Sequence, residues 1–302
     1  MKKPPMGPPP AGFKPPMADL SGVRRMELDI PYGSESPAQR LDMFWPETGE
    51  GPFPTLVYVH GGGFALGDKR DSHLDGYLGC LARGFALAAV EYRLSGEALF
   101  PAAVLDCRSA VRYLRDNAAR LRVDPHRLCA IGGSAGGNLA AMLGMNIPNG
   151  AFPGETQARG TQPFVQAAVD QFGPMNFKTM DAQARENGVS FDDHDTPQSP
   201  ESKYLGAPVQ QAENAAQANP LTYAGEAMCP MLVQHGTADR LVPFAQSEEF
   251  VEGLRARGLG DRVIFTPLPG ADHEDRAFFT EENLARVLDF AKRTCAEGRN
   301  EA

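Results

Sequence analysis

The sequence is poor in the features that mark several other classes of protein. Its 302 residues include only five cysteines, with no C-x-x-C spacing, so neither a disulfide framework nor a cysteine-bound metal is predicted. Basic residues number 29 against 38 acidic ones, and the net charge of −9 argues against nucleic acid as a partner. No apolar run approaches the ~20 residues of a membrane-spanning helix, and no internal repeat is found.

The amino-terminal segment is rich in proline and lacks the apolar stretch of a signal peptide. Residues 1–18 are predicted to form an extended, polyproline-like arm, and residues 19–302 a single domain. The location stays open between the cytoplasm and an exported form that has lost its signal. A hydrophobic content of 42% suits one large globular domain, but nothing in the sequence predicts an oligomeric state.

Short apolar segments alternate with helical patterns along most of the chain. The predicted strands cover residues 24–32, 39–45, 56–59, 85–90, 128–131, 164–169, 231–234 and 262–265. A helix is predicted over residues 71–83, and in the next helix Val104, Cys107, Val111 and Leu114 fall on one face. The pattern predicts an α/β fold with a mostly parallel eight-stranded sheet, an antiparallel start and helices on both faces.

Residues 173–222 break this alternation. The stretch is too long for a simple connection and carries the apolar residues Met175, Phe177 and Tyr204. Long segments of this kind are uncommon unless they are functional. A lid insertion with some helix, lying over the site, is therefore predicted.

The motif GGSAG at residues 132–136 is the strongest chemical signal in the chain. It follows a predicted strand and precedes a helical pattern of small residues, the context of a G-x-S-x-G nucleophile elbow. The serine of such a turn has a strained backbone, and its neighbours are glycines because bulkier residues would clash. Ser134 is therefore the candidate nucleophile, and the N–H of Ala135 a candidate donor to the oxyanion.

The motif HGGGF at residues 60–64 follows another predicted strand. Glycines leave backbone N–H groups accessible, so Gly62 and Gly63 are candidate oxyanion donors together with Ala135. The histidine of the motif, His60, is expected to be a structural hydrogen-bonding residue rather than a base. Glu97 is expected to anchor the loop beneath the site.

Two further motif residues complete a candidate catalytic triad. Asp239 and His273 each follow a later predicted strand, and the chain order Ser134, Asp239, His273 is that of an α/β-hydrolase triad. His273 would take the serine proton as general base, and Asp239 would fix its tautomer. Asp272 and Asp275 are the rival acids, but they lie so near His273 in sequence that they cannot easily reach behind its ring.

These motifs resemble those of the α/β-hydrolase esterases that carry an HGGG motif, the hormone-sensitive-lipase-like group. The resemblance is strongest to the bacterial feruloyl-esterase-like (BD-FAE-like) subgroup. The matching segments are HGGGF (60–64), EYRLSGE (91–97), PAAV (101–104), GGSAGG (132–137), SPESKYLG (199–206) and HGTAD (235–239). The resemblance covers the chain from about residue 23 to the carboxyl-terminal helix. Charged residues flank His273, where such enzymes often carry small ones.

The resemblance implies an α/β-hydrolase fold and a serine carboxylesterase that acts through an acyl-enzyme. The implied substrates are small-molecule or carbohydrate esters, with short acyl or hydroxycinnamoyl groups, including those on plant-wall carbohydrates. No metal or organic cofactor is implied. The acidic run at residues 191–195 is predicted to be a solvated loop rather than a metal site.

Phe64, Phe172, Met175 and Phe278 are candidates for lining the acyl or alcohol pocket, and core packing is the alternative for each. Two other functions stay open. One is a serine peptidase of the prolyl-oligopeptidase type, which would usually carry a large gating domain. The other is a non-catalytic ligand receptor on the same fold, which would usually lack a triad residue.

Overall fold

The computed structural model describes residues 16–155 and 160–297. Its strands are β1 Met26–Pro31, β2 Arg40–Phe44, β3 Phe53–Val59, β4 Ala86–Val90, β5 Val123–Gly133, β6 Ala167–Gln171, β7 Met231–Gly236 and β8 Val263–Leu268. They form one eight-stranded sheet in the order β1-β2-β4-β3-β5-β6-β7-β8. The β1–β2 and β2–β4 pairs are antiparallel and the others parallel. The predicted mostly parallel sheet with an antiparallel start is confirmed.

Helices cover both faces of this sheet. Within the described ranges they are α1 Asp75–Leu78, α2 Ala102–Asp116, α3 Ala118–Leu121, α4 Ala135–Gly144, α5 Phe177–Asn187, α6 Pro200–Leu205, α7 Ala245–Ala256 and α8 Glu281–Glu297. Short 3₁₀ turns lie at Ser72–Leu74, Leu81–Arg83, Pro220–Tyr223, Gly260–Arg262 and Arg276–Phe279. In the part of the chain that the structure describes, no helix combines the length and apolar character needed to cross a membrane.

The two faces of the sheet carry two apolar clusters. Along β3, Val57 and Val59 belong to one cluster, and Leu56 and Tyr58 belong to the other. Successive residues of a strand point to opposite faces, which explains this division. The residues predicted on one face of α2 are all buried in the first cluster, whereas α8 packs into the second. The central strands, from whose ends the candidate site residues extend, are therefore packed on both faces.

The single helix predicted over residues 71–83 is wrong. The segment is split into a 3₁₀ turn, the short helix α1 and a second 3₁₀ turn. Gly76 and Gly79 interrupt it, and a glycine inside a helix costs about 1 kcal/mol relative to alanine. A β-carbon at Gly76 would lie 2.7 Å from the ring of Phe279, so close packing favours glycine there.

The predicted lid insertion contains α5, α6 and a 3₁₀ turn. Its apolar residues Met175, Phe177 and Tyr204 are buried in the apolar cluster that also contains Val57 and Val59 of β3. Their burial favours packing over contact with a substrate. A role as a lid stays a prediction.

Parts of the predicted organisation lie outside the described residues. Residues 1–15 of the amino-terminal arm do, as do residues 156–159 and 298–302. At the carboxyl-terminal end of the predicted arm, Met17 pairs with Asp71 in an isolated β-bridge. The N–H of Ala18 donates to the carbonyl of Arg70 at 2.8 Å. These contacts attach the end of the arm beside the loop that follows β3.

Candidate active site

Ser134 lies in a tight turn between β5 and α4. Its backbone has φ 56° and ψ −125°, a conformation that residues with a side chain rarely adopt. The N–H of Ser134 donates to the carbonyl of Gln171 at 2.9 Å, which ties the turn to the neighbouring strand β6. A β-carbon at Gly136 would collide with the carbonyl oxygen of Val59. The sequence motif therefore has a direct steric cause.

His273 lies between Ser134 and Asp239. Its Nδ1 is 2.8 Å from Asp239 Oδ2, and its Nε2 is 3.0 Å from Ser134 Oγ. A carboxylate can only accept, so Nδ1 carries the proton and Nε2 of the neutral ring is left to accept from the serine hydroxyl. The structure thus brings together the three residues that chain order had predicted, with Ser134 7% exposed.

The Asp239 carboxylate is buried and fully hydrogen bonded. Its Oδ1 accepts from the N–H groups of Leu241 and Val242, both at 2.8 Å. Its Oδ2 faces His273 and also Nε2 of His235 at 3.2 Å. Burial alone would raise the pKa of Asp239, but His273 and His235 outweigh it and hold that pKa well below its usual value. Asp239 therefore stays charged.

Acidic neighbours also act on the candidate base. Burial lowers the pKa of His273, but the charge of Asp239 raises it more, and Glu274 and Asp272 add to the rise. The net pKa lies above the ordinary histidine value. The acidic flank noted in the sequence thus favours the imidazolium form that catalysis would require transiently.

The two rival acids have other partners. Asp272 Oδ2 accepts from Arg240 Nε at 2.6 Å, and its Oδ1 accepts from the backbone N–H of His273 at 2.8 Å. Asp275 caps the following 3₁₀ turn by accepting from the N–H of Ala277 at 2.9 Å. Neither carboxylate contacts the ring of His273 in the way that Asp239 does.

The HGGGF loop lies against the serine turn. Gly62 and Gly63 have φ of 100° and 59°, the left-handed region that favours glycine. A β-carbon at Gly61 would lie 3.5 Å from the Cβ of Ser134, so the loop borders the nucleophile directly. Among the described residues, the N–H groups of Gly62, Gly63 and Ala135 have no protein acceptor. Their assignment as oxyanion donors stays a prediction.

His60 is fully buried beneath this loop. Its Nε2 contacts Glu91 Oε1 at 2.8 Å, its Nδ1 contacts the carbonyl of Gly61 at 2.8 Å, and its ring stacks on Tyr92. Burial opposes a charge on His60, but Glu91 raises its pKa above the ordinary value. Glu91 therefore anchors the loop. Glu97, the residue expected in that role, is exposed.

The four predicted pocket residues are all buried. Phe64 stacks on Tyr204 at 3.9 Å between ring centroids, and Met175 lies in the main core. Phe278 packs edge-on against Phe172, whose ring also meets that of His273 at 4.8 Å. Of the four, Phe172 borders a cleft beside Ser134, whereas the burial of the other three favours core packing. A role in substrate binding stays a prediction for each.

This cleft was missed by sequence reasoning. Its lining consists of Tyr58, Gly61, His73, Tyr77, Gly133, Phe172, Glu274 and Phe279. The residues come from five separate segments of the chain, so no motif could have grouped them. His73 lies in the segment predicted as a helix over residues 71–83, and no motif pointed to it.

The loop at residues 191–195, which was predicted to be solvated, forms hydrogen bonds with other parts of the protein. The Asp181 carboxylate accepts from the N–H groups of His194 and Asp195, and His194 Nδ1 lies 3.2 Å from Glu201. Across residues 16–155 and 160–297, no three His, Cys, Asp or Glu side chains are grouped to hold a metal. The five cysteines are free and buried.

Fold and site together define this protein as a member of the α/β-hydrolase class. The serine turn joins the strand and helix at the centre of the sheet, and the histidine and aspartate follow later strands at the same carboxyl edge. The family model BD-FAE matches residues 41–254. The chain belongs to the BD-FAE family, as its resemblance had implied.

Named relatives agree with this family. Esterase LipQ of Mycobacterium tuberculosis is 29% identical over 247 residues, covering 81% of this chain and 56% of LipQ. A bifunctional GH43-CE protein of Bacteroides eggerthii has a TM-score of 0.76 at 29% identity, covering 89% of this chain and 35% of that one. A truncated carbohydrate esterase from gut microbiota shares the fold, with a TM-score of 0.77 at 24% identity over 94% of this chain and 100% of that one.

Three curated esterases or ester hydrolases align with most of this chain. This chain nevertheless spans little more than half of the length of each of them. The shares are 56%, 58% and 55% for LipQ, LipC and LipM of Mycobacterium tuberculosis. The family and the fold are therefore assigned to this chain, whereas its activity is proposed below.

Proposed function

We propose that the protein is a serine carboxylesterase, a carboxylic ester hydrolase that works through an acyl-enzyme. One observation carries the proposal: the hydrogen-bonded series Ser134, His273 and Asp239, with distances of 3.0 and 2.8 Å, begins at a serine on a strained strand–helix turn. Membership of the BD-FAE family and the esterase name of LipQ support it.

Acylation begins when Ser134 Oγ attacks the ester carbonyl carbon while its proton passes to His273 Nε2. Negative charge develops on the carbonyl oxygen, where the N–H groups of Gly62, Gly63 and Ala135 would stabilise it. The positive end of α4 acts in the same direction. The intermediate collapses as the C–O bond to the alcohol breaks and His273 returns the proton to the leaving oxygen. Asp239 holds the ring in the correct tautomer throughout.

Deacylation repeats these steps with water. His273 takes a proton from the water as its oxygen attacks the acyl carbon, and the same donors stabilise the second oxyanion. Collapse releases the acid and gives the proton back to Ser134 Oγ. No redox step occurs, and the described residues account for every proton transferred.

We propose esters of short acyl or hydroxycinnamoyl acids as the substrate class, including those carried by plant-wall carbohydrates. Family membership supports this class, and so does the designation of one relative as GH43-CE.

A substrate panel tests the function. We expect p-nitrophenyl acetate, p-nitrophenyl butyrate and methyl ferulate to be hydrolysed, and a prolyl p-nitroanilide to be inert. Ser134→Ala should abolish hydrolysis, whereas the matched control Ser34→Ala, on an exposed serine, should retain it. Turnover of the anilide alone would favour a peptidase. Loss of all turnover in a correctly folded protein would favour a receptor.

A further inference from the structure

The lining of the cleft beside Ser134 includes both glycines and charged side chains. Gly61 and Gly133 belong to the two loops that border the nucleophile, and His73 and Glu274 line the same cleft. Tyr58 and Tyr77 also line it, and their hydroxyl groups donate to Asp71 and Gln171 respectively. The cleft therefore places charged side chains beside the turn that carries Ser134.

The ion pairs that His73 forms with Asp71 and Glu274 are long. His73 Nδ1 lies 3.4 Å from Asp71 Oδ1, and its Nε2 lies 3.6 Å from Glu274 Oε2. Both distances exceed the ~2.7–3.2 Å of a good hydrogen bond. The His73 side chain is 37% exposed and that of Glu274 41%. A ligand hydroxyl can therefore compete for the long, partly exposed contact between His73 Nε2 and the Glu274 carboxylate.

Both groups carry charge at neutral pH. The carboxylates of Asp71 and Glu274 raise the pKa of His73 to about 10, so its ring is a cation with two N–H donors. Burial raises the pKa of Glu274, but His73 and His273 outweigh it and keep that pKa below its ordinary value. A donor and an acceptor thus face the same cleft.

The cleft adjoins the candidate catalytic histidine. His273 delivers its proton to the alcohol oxygen, so the alcohol lies next to that ring. Glu274 follows His273 directly in the chain, and Phe172, another lining residue, packs edge-on against the His273 ring. This placement favours the alcohol portion of the ester as the group nearest the cleft.

We propose that this cleft binds the alcohol portion of the ester, and that His73 and Glu274 select alcohols that carry additional free hydroxyl groups. The inference rests on the proposed function. A hydroxyl can accept from the N–H of His73 and donate to Glu274 at once. A plain alkyl group would remove water from both charged groups and leave them only their long contacts with each other and with Asp71. An anionic alcohol would be repelled by Glu274 and Asp71.

Two esters with the same acyl group and the same three-carbon alcohol skeleton test the proposal. Glyceryl 1-monobutyrate carries two free hydroxyls, and n-propyl butyrate carries none. The wild type should prefer the glyceryl ester by kcat/KM, measured by acid release at constant pH. His73→Phe keeps a ring beside Phe279 but removes both donors, and should lower the preference roughly tenfold or more. Glu274→Gln should lower it as well.

A conservative replacement separates recognition from packing. His73→Gln restores one donor and should recover part of the preference, which a purely structural role would not produce. The matched control His126→Phe, on an exposed histidine at the far end of β5, should leave the preference unchanged. Melting temperatures of all variants identify any loss of folding.

Several results would overturn the inference. If His73→Phe keeps the wild-type preference while Ser134→Ala abolishes both reactions, the subsite is wrong and the proposed function stands. An equal loss for both esters with a lower melting temperature would make His73 structural. A preference confined to ethyl 3-hydroxybutyrate over ethyl butyrate would move the subsite to the acyl side. If the wild type hydrolyses none of these esters, the proposed function fails and the subsite fails with it.

Discussion

Replacing Asp239 with asparagine should disable the site through a tautomer switch. Oδ1 of Asp239 accepts from two backbone N–H groups, those of Leu241 and Val242. An asparagine must place its carbonyl oxygen there to satisfy both, which points its NH₂ at His273 Nδ1. That NH₂ can only donate, so Nδ1 of His273 must accept and the ring proton moves to Nε2. Nε2 can then no longer take the proton of Ser134.

The expected cost follows from this switch. The wrong tautomer must be corrected at each turnover, and asparagine does not stabilise the imidazolium, so kcat should fall by about 10²–10⁴. That factor corresponds to ~2.7–5.5 kcal/mol in the activation free energy. KM should change little, because Asp239 is buried behind His273 and does not reach the substrate.

The assay is the hydrolysis of p-nitrophenyl butyrate, with kcat and KM measured separately. Nitrogen chemical shifts of the His273 ring would report the tautomer directly. Asp272→Asn is the matched control, because Asp272 bonds Arg240 and the backbone of His273 rather than its ring. We expect its kcat to stay within about tenfold of wild type. The reasoning is refuted if Asp272→Asn is the crippling change and Asp239→Asn is mild.

Three further predictions concern the structure around the site. Burial raises the pKa of Asp170 to about 8, so the folded state keeps a proton that the unfolded state loses near pH 3.8. The free energy of unfolding should therefore fall by about 1.4 kcal/mol per pH unit as the pH rises between these two values. Asp170→Asn should remove that slope in denaturant titrations. Gly136→Ala should destabilise the turn at Ser134 by at least ~1–3 kcal/mol, because the new methyl group would collide with the carbonyl oxygen of Val59. The melting temperature should fall, and an unchanged value would count against the packing described. Met175→Ala should cost ~2–5 kcal/mol of stability and scale all esters equally, whereas an altered ester preference at unchanged stability would support a lid.

The strands and the triad were predictable because their signals are local. Each central strand is a short apolar run, and each candidate triad residue follows such a run. Parallel strands present their carboxyl ends at one edge, so Ser134, Asp239 and His273 could be expected to meet from strand order alone. The remaining geometry of the triad, such as the second contact of Asp239 with His235, depends on loop conformation that no local pattern encodes.

Other features depended on contacts between distant segments. Glu91 and Glu97 lie in the same motif, and only packing against His60 distinguishes the anchor from the exposed residue. The helix predicted over residues 71–83 failed because its glycines pack against residues far along the chain, such as Phe279. The cleft with His73 and Glu274 unites residues about 200 positions apart. Apolar residues such as Phe64 look alike in sequence whether they line a pocket or a core.

The central claim is that Ser134 carries the acyl group, and a covalent label tests it most directly. The intact protein is treated with a fluorophosphonate, digested, and mapped by mass spectrometry. The account predicts a single stoichiometric adduct on the peptide that contains Ser134, absent from Ser134→Ala and present in the Ser34→Ala control. A stoichiometric adduct on any other serine of the folded protein, or undiminished ester hydrolysis by Ser134→Ala, would contradict it.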